Sequence, residues 1–136
     1  MRKNTNLLTD RQIQVLKLRS RGITQERVAR QLKTTRENVS ILESRARRNI
    51  KRAKATIEIL EDLGMAIRIT IKPETPVLEI SNLILKKADD ANVRLQFDCV
   101  DLLEKIKMKA KNKIKAKKVV NPISVVLLPY GDLLVE

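Results

Sequence analysis

Histidine and tryptophan are absent from all 136 residues, and cysteine occurs once. Without histidine, a Cys/His zinc site cannot form within one chain, and the commonest general base of enzymes is missing. The sequence also lacks a glycine-rich phosphate loop and a recognisable nucleophile arrangement, so we predict a non-enzyme that binds no metal or cofactor. Cys99 has no partner for an intramolecular disulfide, and we expect it to be a small buried hydrophobic residue.

Aromatic residues are almost absent, since Phe97 and Tyr130 are the only two. Proteins that bind single-stranded nucleic acid usually stack its bases on aromatic side chains. Neither aromatic residue lies in the first half of the chain, which is the more basic half. A nucleic-acid partner is therefore expected to be duplex DNA.

Long apolar runs are missing too. No segment is long enough and apolar enough to cross a bilayer, and no signal peptide is recognisable at the N-terminus. We therefore expect a cytoplasmic protein that does not associate with a membrane.

Positive charge is what the sequence has in excess, with a formal net charge of +13. Residues 1–63 carry 16 basic and 7 acidic residues, whereas residues 64–136 carry 13 and 9. A basic surface binds a polyanion by neutralising phosphates and releasing counterions, although the same surplus also keeps a protein soluble. A binding motif within the more basic half would favour the first interpretation.

Such a motif lies at residues 25–44, where two short amphipathic segments meet. Thr24 and Thr35 each precede a segment and are predicted N-caps. Apolar residues recur at helical spacing on one face of the two segments: Val28, Ala29, Leu32, Val39 and Leu42. This spacing predicts a helix-turn-helix whose second helix is free to enter the major groove.

A supporting helix is predicted before this pair. Thr9 and Gln12 have the spacing of a capping box, and Gly22 is placed to end the helix. The residues predicted for its core face are Ile13 and Leu16, with Val15 beside them.

Three stretches carry a family pattern: LTDRQIQVL at residues 8–16, RGIT at 21–24 and QERVA at 25–29. They resemble the helix-turn-helix shared by LuxR-type regulators and region 4 of sigma factors. The continuation TRENVSILESRAR at 35–47, with the chain length, is more narrowly similar to the archaeal Tfx family of DNA-binding proteins. Lys33 stands at the turn position usually filled by glycine, and we expect a loosened turn there.

Exposed positions of the second helix are the candidate DNA-binding residues. The candidates for base edges are Thr35, Arg36, Glu37, Asn38, Ser40, Ile41 and Ser44. Among them Arg36 matches the two acceptors of guanine, Asn38 suits adenine, and Ile41 suits the thymine methyl group. Phosphate contacts are predicted for Arg27, Arg30, Arg45, Arg47, Arg48, Lys51 and Arg52.

The second helix is predicted to continue as far as Gly64, because no proline or glycine occurs between residues 36 and 63. Its apolar residues keep steps of three and four beyond the helix-turn-helix, and those predicted for packing are Ile50, Ala53, Ile57 and Leu60. We favour a dimer through this apolar seam. The alternative is that the C-terminal domain folds back onto it.

After Gly64 the pattern predicts a small α/β domain of order β-α-β-α-β-β. The predicted elements are a strand at 66–72, a helix at 75–91, a strand at 93–97, a helix from 98 to 114, and strands at 123–128 and 133–135. Lysines alternate through residues 105–118 and are expected to encircle the second helix. They indicate either a second contact with the DNA backbone or a solubilising surface.

The sequence thus predicts an α+β chain of two parts, an all-α helix-turn-helix domain at 1–63 with a long third helix and a small α/β domain at 64–136. By analogy, the second domain joins subunits or senses a small-molecule effector. The predicted function is a sequence-specific, double-stranded DNA-binding transcriptional regulator that acts as a homodimer. The alternative is a protein-interaction module, similar to sigma region 4, that binds RNA polymerase or another regulator.

Overall fold

The computed structural model describes residues 6–136, so residues 1–5 of the predicted first domain lie outside it. The chain separates into two compact units, with the division between Ile57 and Glu58. The first unit contains α1 (Asp10–Ser20), α2 (Gln25–Gln31) and most of the long helix α3 (Arg36–Asp62). The predicted combination of a helix-turn-helix, a long third helix and a mixed α and β remainder is confirmed.

Local signals set the ends of these helices as expected. Thr9 caps α1 with the complete capping box to Gln12, and Thr24 caps α2 by accepting from the amide of Arg27 at 3.3 Å. At the start of α3, the Thr35 hydroxyl accepts from the amide of Asn38 at 3.1 Å. Each hydroxyl satisfies an amide that has no partner within its helix.

The turn between α2 and α3 is regular, so the expectation of a loosened turn at Lys33 is wrong. Lys33 adopts the left-handed conformation, with φ of 55°. Its amide donates to the carbonyl of Arg30 at 3.3 Å, and that of Thr34 donates to Ala29 at 2.9 Å. These two bonds make a Schellman motif, in which the residue after the helix cap usually is glycine. The turn therefore keeps its usual geometry, and Lys33 adopts a strained left-handed backbone conformation.

The buried face of α1 differs from the predicted one. Ile13 is 38% exposed and Leu16 is half-buried, whereas Val15 is fully buried and Gln12 is buried beside it. A buried glutamine is tolerated here because its Oε1 accepts from the Thr9 amide at 3.1 Å. The inward face of α1 is therefore displaced by about one residue from the one that the apolar pattern predicts. The buried apolar cluster of this unit consists of Val15, Val28, Ala29 and Val39.

The second unit contains a three-stranded antiparallel sheet, two helices and a small hairpin. The elements are β1 (Ile67–Ile71), α4 (Val77–Asp90), α5 (Cys99–Lys109), β2 (Ile114–Lys115), β3 (Lys118–Val119), β4 (Ile123–Leu127) and β5 (Leu133–Val135). The sheet has the strand order β1-β4-β5, with Ile69 opposite Val125 and Val126 opposite Leu134. Helix α4 packs against α5, and strands β2 and β3 pair separately.

The core of this unit is much larger than that of the first unit. Its buried residues are Ile69, Ile71, Ile80, Ile84, Ala88, Leu102, Ile106, Ala110, Val119, Ile123, Val125, Leu127 and Leu133. Arg68 joins three elements at the sheet's exposed face, since it contacts Glu61 at 2.7 Å, Glu136 at 2.6 Å and Ser124 at 3.0 Å. The hydrogen bonds from Arg68 to Glu61 and Glu136 raise the pKa of the Arg68 guanidinium.

The strand predicted at 93–97 is not formed. Val93, Leu95 and Phe97 do pack against the core, which explains their alternation with polar residues. The backbone makes no ladder, however, and meets the β4–β5 connection through the amide of Gln96, which donates to Gly131 at 3.0 Å. Gly131 has a φ of 92°, and a Cβ there would lie 2.7 Å from the carbonyl oxygen of Arg94. Alternation in this segment reports burial without strand pairing.

Helix α5 also ends earlier than predicted, at Lys109, and a short 3₁₀ turn at Lys111–Lys113 leads into the β2–β3 hairpin. The lysines of residues 105–118 therefore do not encircle one helix, because those after Lys109 lie beyond its end. Ile114 keeps the helical spacing of the apolar residues, but it lies in β2. Cys99, expected to be buried, is exposed at the first residue of α5.

Candidate nucleic-acid interface

The seven candidates for base contacts all lie exposed along the first three turns of α3 or directly before it. Helix α3 turns its buried stripe, Val39, Glu43 and Ala46, toward the core of the first unit. The candidates on its other sides are exposed to solvent, as the first turns of a recognition helix must be. The structure thus makes these positions accessible, and their individual base contacts remain a prediction.

Four of these candidates gather around one small depression at the start of α3. The depression measures about 280 Å³, and its walls are formed by Gln25 of α2 together with Arg36, Glu37, Ser40 and Ile41. The depression is lined by Arg36, which is predicted to contact guanine, and by Ile41, which is predicted to contact the thymine methyl group. Polar and apolar groups at one place are what the mixed donor, acceptor and methyl pattern of a major groove requires.

Thr35 and Asn38 already have local hydrogen-bond partners. The Thr35 hydroxyl caps the Asn38 amide, and the Asn38 side-chain nitrogen donates to the Thr34 hydroxyl at 2.9 Å. Two residues correspond to about 200° of rotation around a helix, so Asn38 and Arg36 point to nearly opposite sides of α3.

The residues predicted to contact phosphate divide into three places. The basic groove, as we call it, is an open groove of about 920 Å³ between α3 and the α1–α2 connection, and its basic residues on α3 are Arg47, Arg48, Lys51 and Arg52. Arg45 is exposed on α3 outside that groove. Arg27 and Arg30 are exposed on α2, where Arg30 makes a surface ion pair with Glu26 at 3.3 Å.

A buried carboxylate forms the floor of the basic groove. Glu43 accepts from Arg19 Nε at 3.1 Å, from Gln25 Nε2 at 2.9 Å and from Arg47 Nη2 at 2.8 Å. Arg19 also donates to the carbonyl of Ile23 at 2.9 Å. The Glu43 cluster (Arg19, Gln25, Glu43 and Arg47) therefore joins all three helices of the unit. It also holds the Arg47 guanidinium at the groove, with the Arg47 side chain 68% exposed.

Burial alone would raise the pKa of Glu43, but the cluster reverses that effect. Hydrogen bonds from Gln25 and Arg19, followed by the charges of Arg19 and Arg47, lower the pKa below its ordinary value. Glu43 is therefore ionised at neutral pH and compensates part of the positive charge in the basic groove.

Arg19, Gln25 and Glu43 are site residues that the sequence pattern did not predict. One signal was available, since Glu43 falls between Leu42 and Ala46 within the apolar stripe of α3. A charged residue in a buried stripe requires a partner. The sequence does not reveal that this partner is Arg19, which lies 24 residues earlier.

The predicted packing seam of α3 is partly exposed. Ile50 is 48% exposed, and Ala53, Ile57 and Leu60 are half-buried.

Within residues 6–136, no group of three potential metal ligands from His, Cys, Asp and Glu lies together. Among the same residues, no helix is both long and apolar enough to span a membrane.

The structure defines a helix-turn-helix protein with a basic, exposed recognition helix, and comparison with known proteins agrees. Residues 53–135 match the family model described as DNA-binding protein, TFX, C-terminal, and residues 6–52 match that of sigma-70, region 4. The DNA-binding protein Tfx of Methanothermobacter thermautotrophicus is 32% identical over 136 residues, which cover 100% of this chain and 98% of its own. A protein of Methanocaldococcus jannaschii with the name "putative transcriptional regulatory protein" is 41% identical over 128 residues, covering 94% of this chain and 93% of that one.

This chain therefore belongs to the Tfx family of DNA-binding proteins. The resemblance and the prediction of a DNA-binding transcription regulator are confirmed at the level of the family. The residues that contact DNA are not tested by family membership, and they stay a prediction.

Proposed function

We propose that this protein regulates transcription by binding specific sequences of duplex DNA, with the N-terminal turns of α3 in the major groove. The observation that carries the proposal is the basic groove. Its four exposed basic side chains on α3 follow, along the same helix, the small depression at the start of α3 that contains candidates for base contacts. One helix thus offers both parts of a DNA interface, groups for base edges at its start and cations for phosphate further along. Such a protein acts where the DNA lies, which we take to be the cytoplasm, and needs no enzymatic activity.

Arg36 and Arg48 separate the two parts of this interface. We expect Arg36→Ala to weaken binding to the preferred site by about 1–3 kcal/mol and to leave random duplex nearly unaffected, because it removes a base contact. Arg48→Ala should weaken both duplexes alike and reduce the salt slope by about one, because it removes a phosphate contact. Fluorescence anisotropy over a salt series measures both effects, with a fragment of the protein's own genomic neighbourhood beside random duplex of equal length.

The matched control is Arg94→Ala, which removes an exposed arginine from the other unit. It should leave both affinities within about twofold, since surface substitutions away from an interface change little. Equal losses from Arg36→Ala on the two duplexes would contradict the base-reading role of Arg36. Equal and wholly salt-dependent binding of the wild type to both duplexes would contradict sequence specificity.

A second candidate function is favoured by the match of residues 6–52 to sigma-70, region 4. In this alternative the helix-turn-helix is a protein-interaction module for RNA polymerase or another regulator. Binding of the isolated protein to its own promoter fragment, without polymerase, distinguishes the two functions. DNA binding that appears only with polymerase present would favour the alternative.

We also propose that the protein is a homodimer and that the α3 seam contributes to the interface. Ile50 supports this proposal because a large apolar side chain that is half exposed gains by being covered in a partner. Sedimentation velocity should show a dimer that Ile50→Glu dissociates, whereas Ile59→Glu, an exposed apolar position on the opposite side of α3, should leave it intact. A monomer at micromolar concentration would contradict the proposal.

The assignment of domains at 1–63 and 64–136 also stays a prediction. Limited proteolysis tests it.

A further inference from the structure

The second unit contains an open cavity of about 820 Å³ that the DNA-binding function does not use. It lies where the first turn of α4, the last turn of α5 and the β2–β3 hairpin meet, and we call it the α4–α5 cavity. Its apolar wall includes Leu78, Met108 and Ile114. The volume lies within the range of about 300–1,000 Å³ that is usual for small-molecule sites.

The apolar wall is open to solvent in this structure. Leu78 is 78% exposed and Met108 is 77% exposed, although both are large apolar side chains. A single exposed apolar residue is ordinary on a protein surface. Two that line one concavity, beside the buried Val77, form a patch that gains when a ligand covers it.

The eight lysines of residues 105–118 fall into three groups: three have partners, three line the α4–α5 cavity, and Lys109 and Lys115 are exposed outside it. The ammonium groups of the first group have partners: Lys105 lies 3.4 Å from Asp132, Lys113 donates to the carbonyl of Glu136 at 3.1 Å, and Lys118 lies 3.7 Å from Glu74. In the part of the chain that the structure describes, the ammonium groups of Lys107, Lys111 and Lys117 make no ion pair or hydrogen bond. These three all line the α4–α5 cavity.

No acidic residue accompanies them among the described residues that line the cavity. Three uncompensated cations at one apolar concavity repel one another, and an anion placed between them would relieve that repulsion. The charge therefore specifies the sign of the ligand, and the apolar wall specifies that the ligand has a hydrocarbon body.

Backbone contacts hold the lysine of the hairpin in place. Ala116 and Lys117 both have positive φ, 51° and 64°, in a two-residue turn that would usually contain asparagine and glycine. The hairpin is joined to the start of α4, since the Val77 amide donates to the carbonyl of Lys117 and the Val119 amide to that of Thr75, both at 2.9 Å. The backbone of Lys117 is thereby fixed at the mouth of the cavity.

We propose that the α4–α5 cavity binds a small amphiphilic organic anion, with its acidic group between Lys107, Lys111 and Lys117 and its hydrocarbon part against Leu78 and Met108. This ligand would be the effector of the regulator, a consequence that rests on the proposed function. The binding site itself does not depend on that function, because it lies within the second unit and is measured without DNA.

Decanoate is a suitable probe, with decanol as its uncharged analogue and acetate as the acidic group without the chain. Isothermal titration calorimetry on the full chain, below the micelle concentration, should show one saturable site for decanoate and much weaker binding of the other two. Lys107→Gln/Lys111→Gln/Lys117→Gln should weaken decanoate roughly tenfold, since each exposed ion pair contributes only modestly to affinity. Leu78→Gln, at an exposed position, should also weaken it.

The matched control is Lys86→Gln/Lys109→Gln/Lys115→Gln, which removes the same charge from exposed positions outside the cavity. It should change decanoate affinity less than about twofold, because only screened long-range attraction is lost. An equal loss in both triple variants, or equal affinity for decanoate and decanol, would overturn an anion-specific site. The latter result would instead favour an apolar peptide or a second copy of the chain as the occupant.

The regulatory consequence has its own readout. Anisotropy with the promoter fragment, with and without saturating decanoate, measures whether the ligand changes DNA affinity. Binding at the lysines with unchanged DNA affinity would overturn the effector role and leave the site established. Loss of DNA binding under all conditions would contradict the proposed function, and the calorimetric result would be unaffected.

Discussion

Different interactions stabilise the inside of each of the two units. Among the described residues, the apolar cluster of the first unit has four buried members, and a buried carboxylate bonded to two arginines and a glutamine joins its three helices. The second unit has an apolar cluster with thirteen buried members. Its charged contacts, such as Arg68 with Glu61 and Glu136, lie at the surface.

The proposed function explains this difference. One side of α3 would stay free for DNA and contribute no apolar area to a core, and the short helices α1 and α2 bury little. A polar cluster compensates, because hydrogen bonds to a charged group each stabilise by about 1.5–3 kcal/mol when they are well formed. The same cluster orients Arg47 toward the proposed phosphate contacts. In this unit stability and binding share residues, whereas in the second unit they do not.

The largest effect that tests this comparison is expected from Glu43→Gln. The substituted amide keeps one acceptor oxygen but turns an NH₂ group toward the donors Arg19 and Gln25, and the charge is lost. Removing one partner of a buried ion pair costs about 3–5 kcal/mol, but Arg19 and Arg47 stay partly solvated, so we expect about 2 kcal/mol. Amide hydrogen exchange should show the loss of protection in the first unit alone.

Glu37→Gln is the matched control, since it makes the same chemical change at an exposed position of the same helix. It should alter protection by less than about 0.5 kcal/mol. The pH dependence sharpens the test. Because the folded state lowers the pKa of Glu43, its contribution to stability is complete above the ordinary value near 4.5 and is lost as the pH falls through the lowered pKa. Wild type and Glu43→Gln should therefore converge in stability toward acid, and parallel stability curves would contradict the role of the carboxylate.

How far the sequence predicted the structure also differs between the units. In the first unit the helix ends depend on neighbours within a few residues, such as Thr9 with Gln12, so the elements were predicted well. The Glu43 cluster was not predicted, because it joins residues that are far apart in the chain. In the second unit two elements were predicted wrongly. The alternation of apolar and polar residues at 93–97 reflects burial against the core and not a strand, and the helical spacing of apolar residues up to Ile114 continues past the end of α5.

The candidate sites show the same limit. The exposed residues of α3 could be predicted because one helix carries them all, and a helical repeat determines which face is free. The α4–α5 cavity could not, because its walls come from three separate segments, with residues 76–78, 107, 108, 111, 114 and 117. Only the tertiary structure separates Lys107, Lys111 and Lys117 from the lysines that have partners.

The smallest effect is expected at the one position where the first unit departs from a local rule. Lys33 has a φ of 55° in the Schellman motif that ends α2, and a left-handed conformation costs a residue with a Cβ about 1–2 kcal/mol. Lys33→Gly removes this strain but adds freedom to the unfolded chain, which offsets part of the gain. We therefore expect the first unit to be stabilised by less than about 1 kcal/mol, measured by hydrogen exchange. Lys33→Ala removes the same charge and keeps the strain, so an equal gain from both variants would show that charge repulsion, and not backbone conformation, is the cost at this turn.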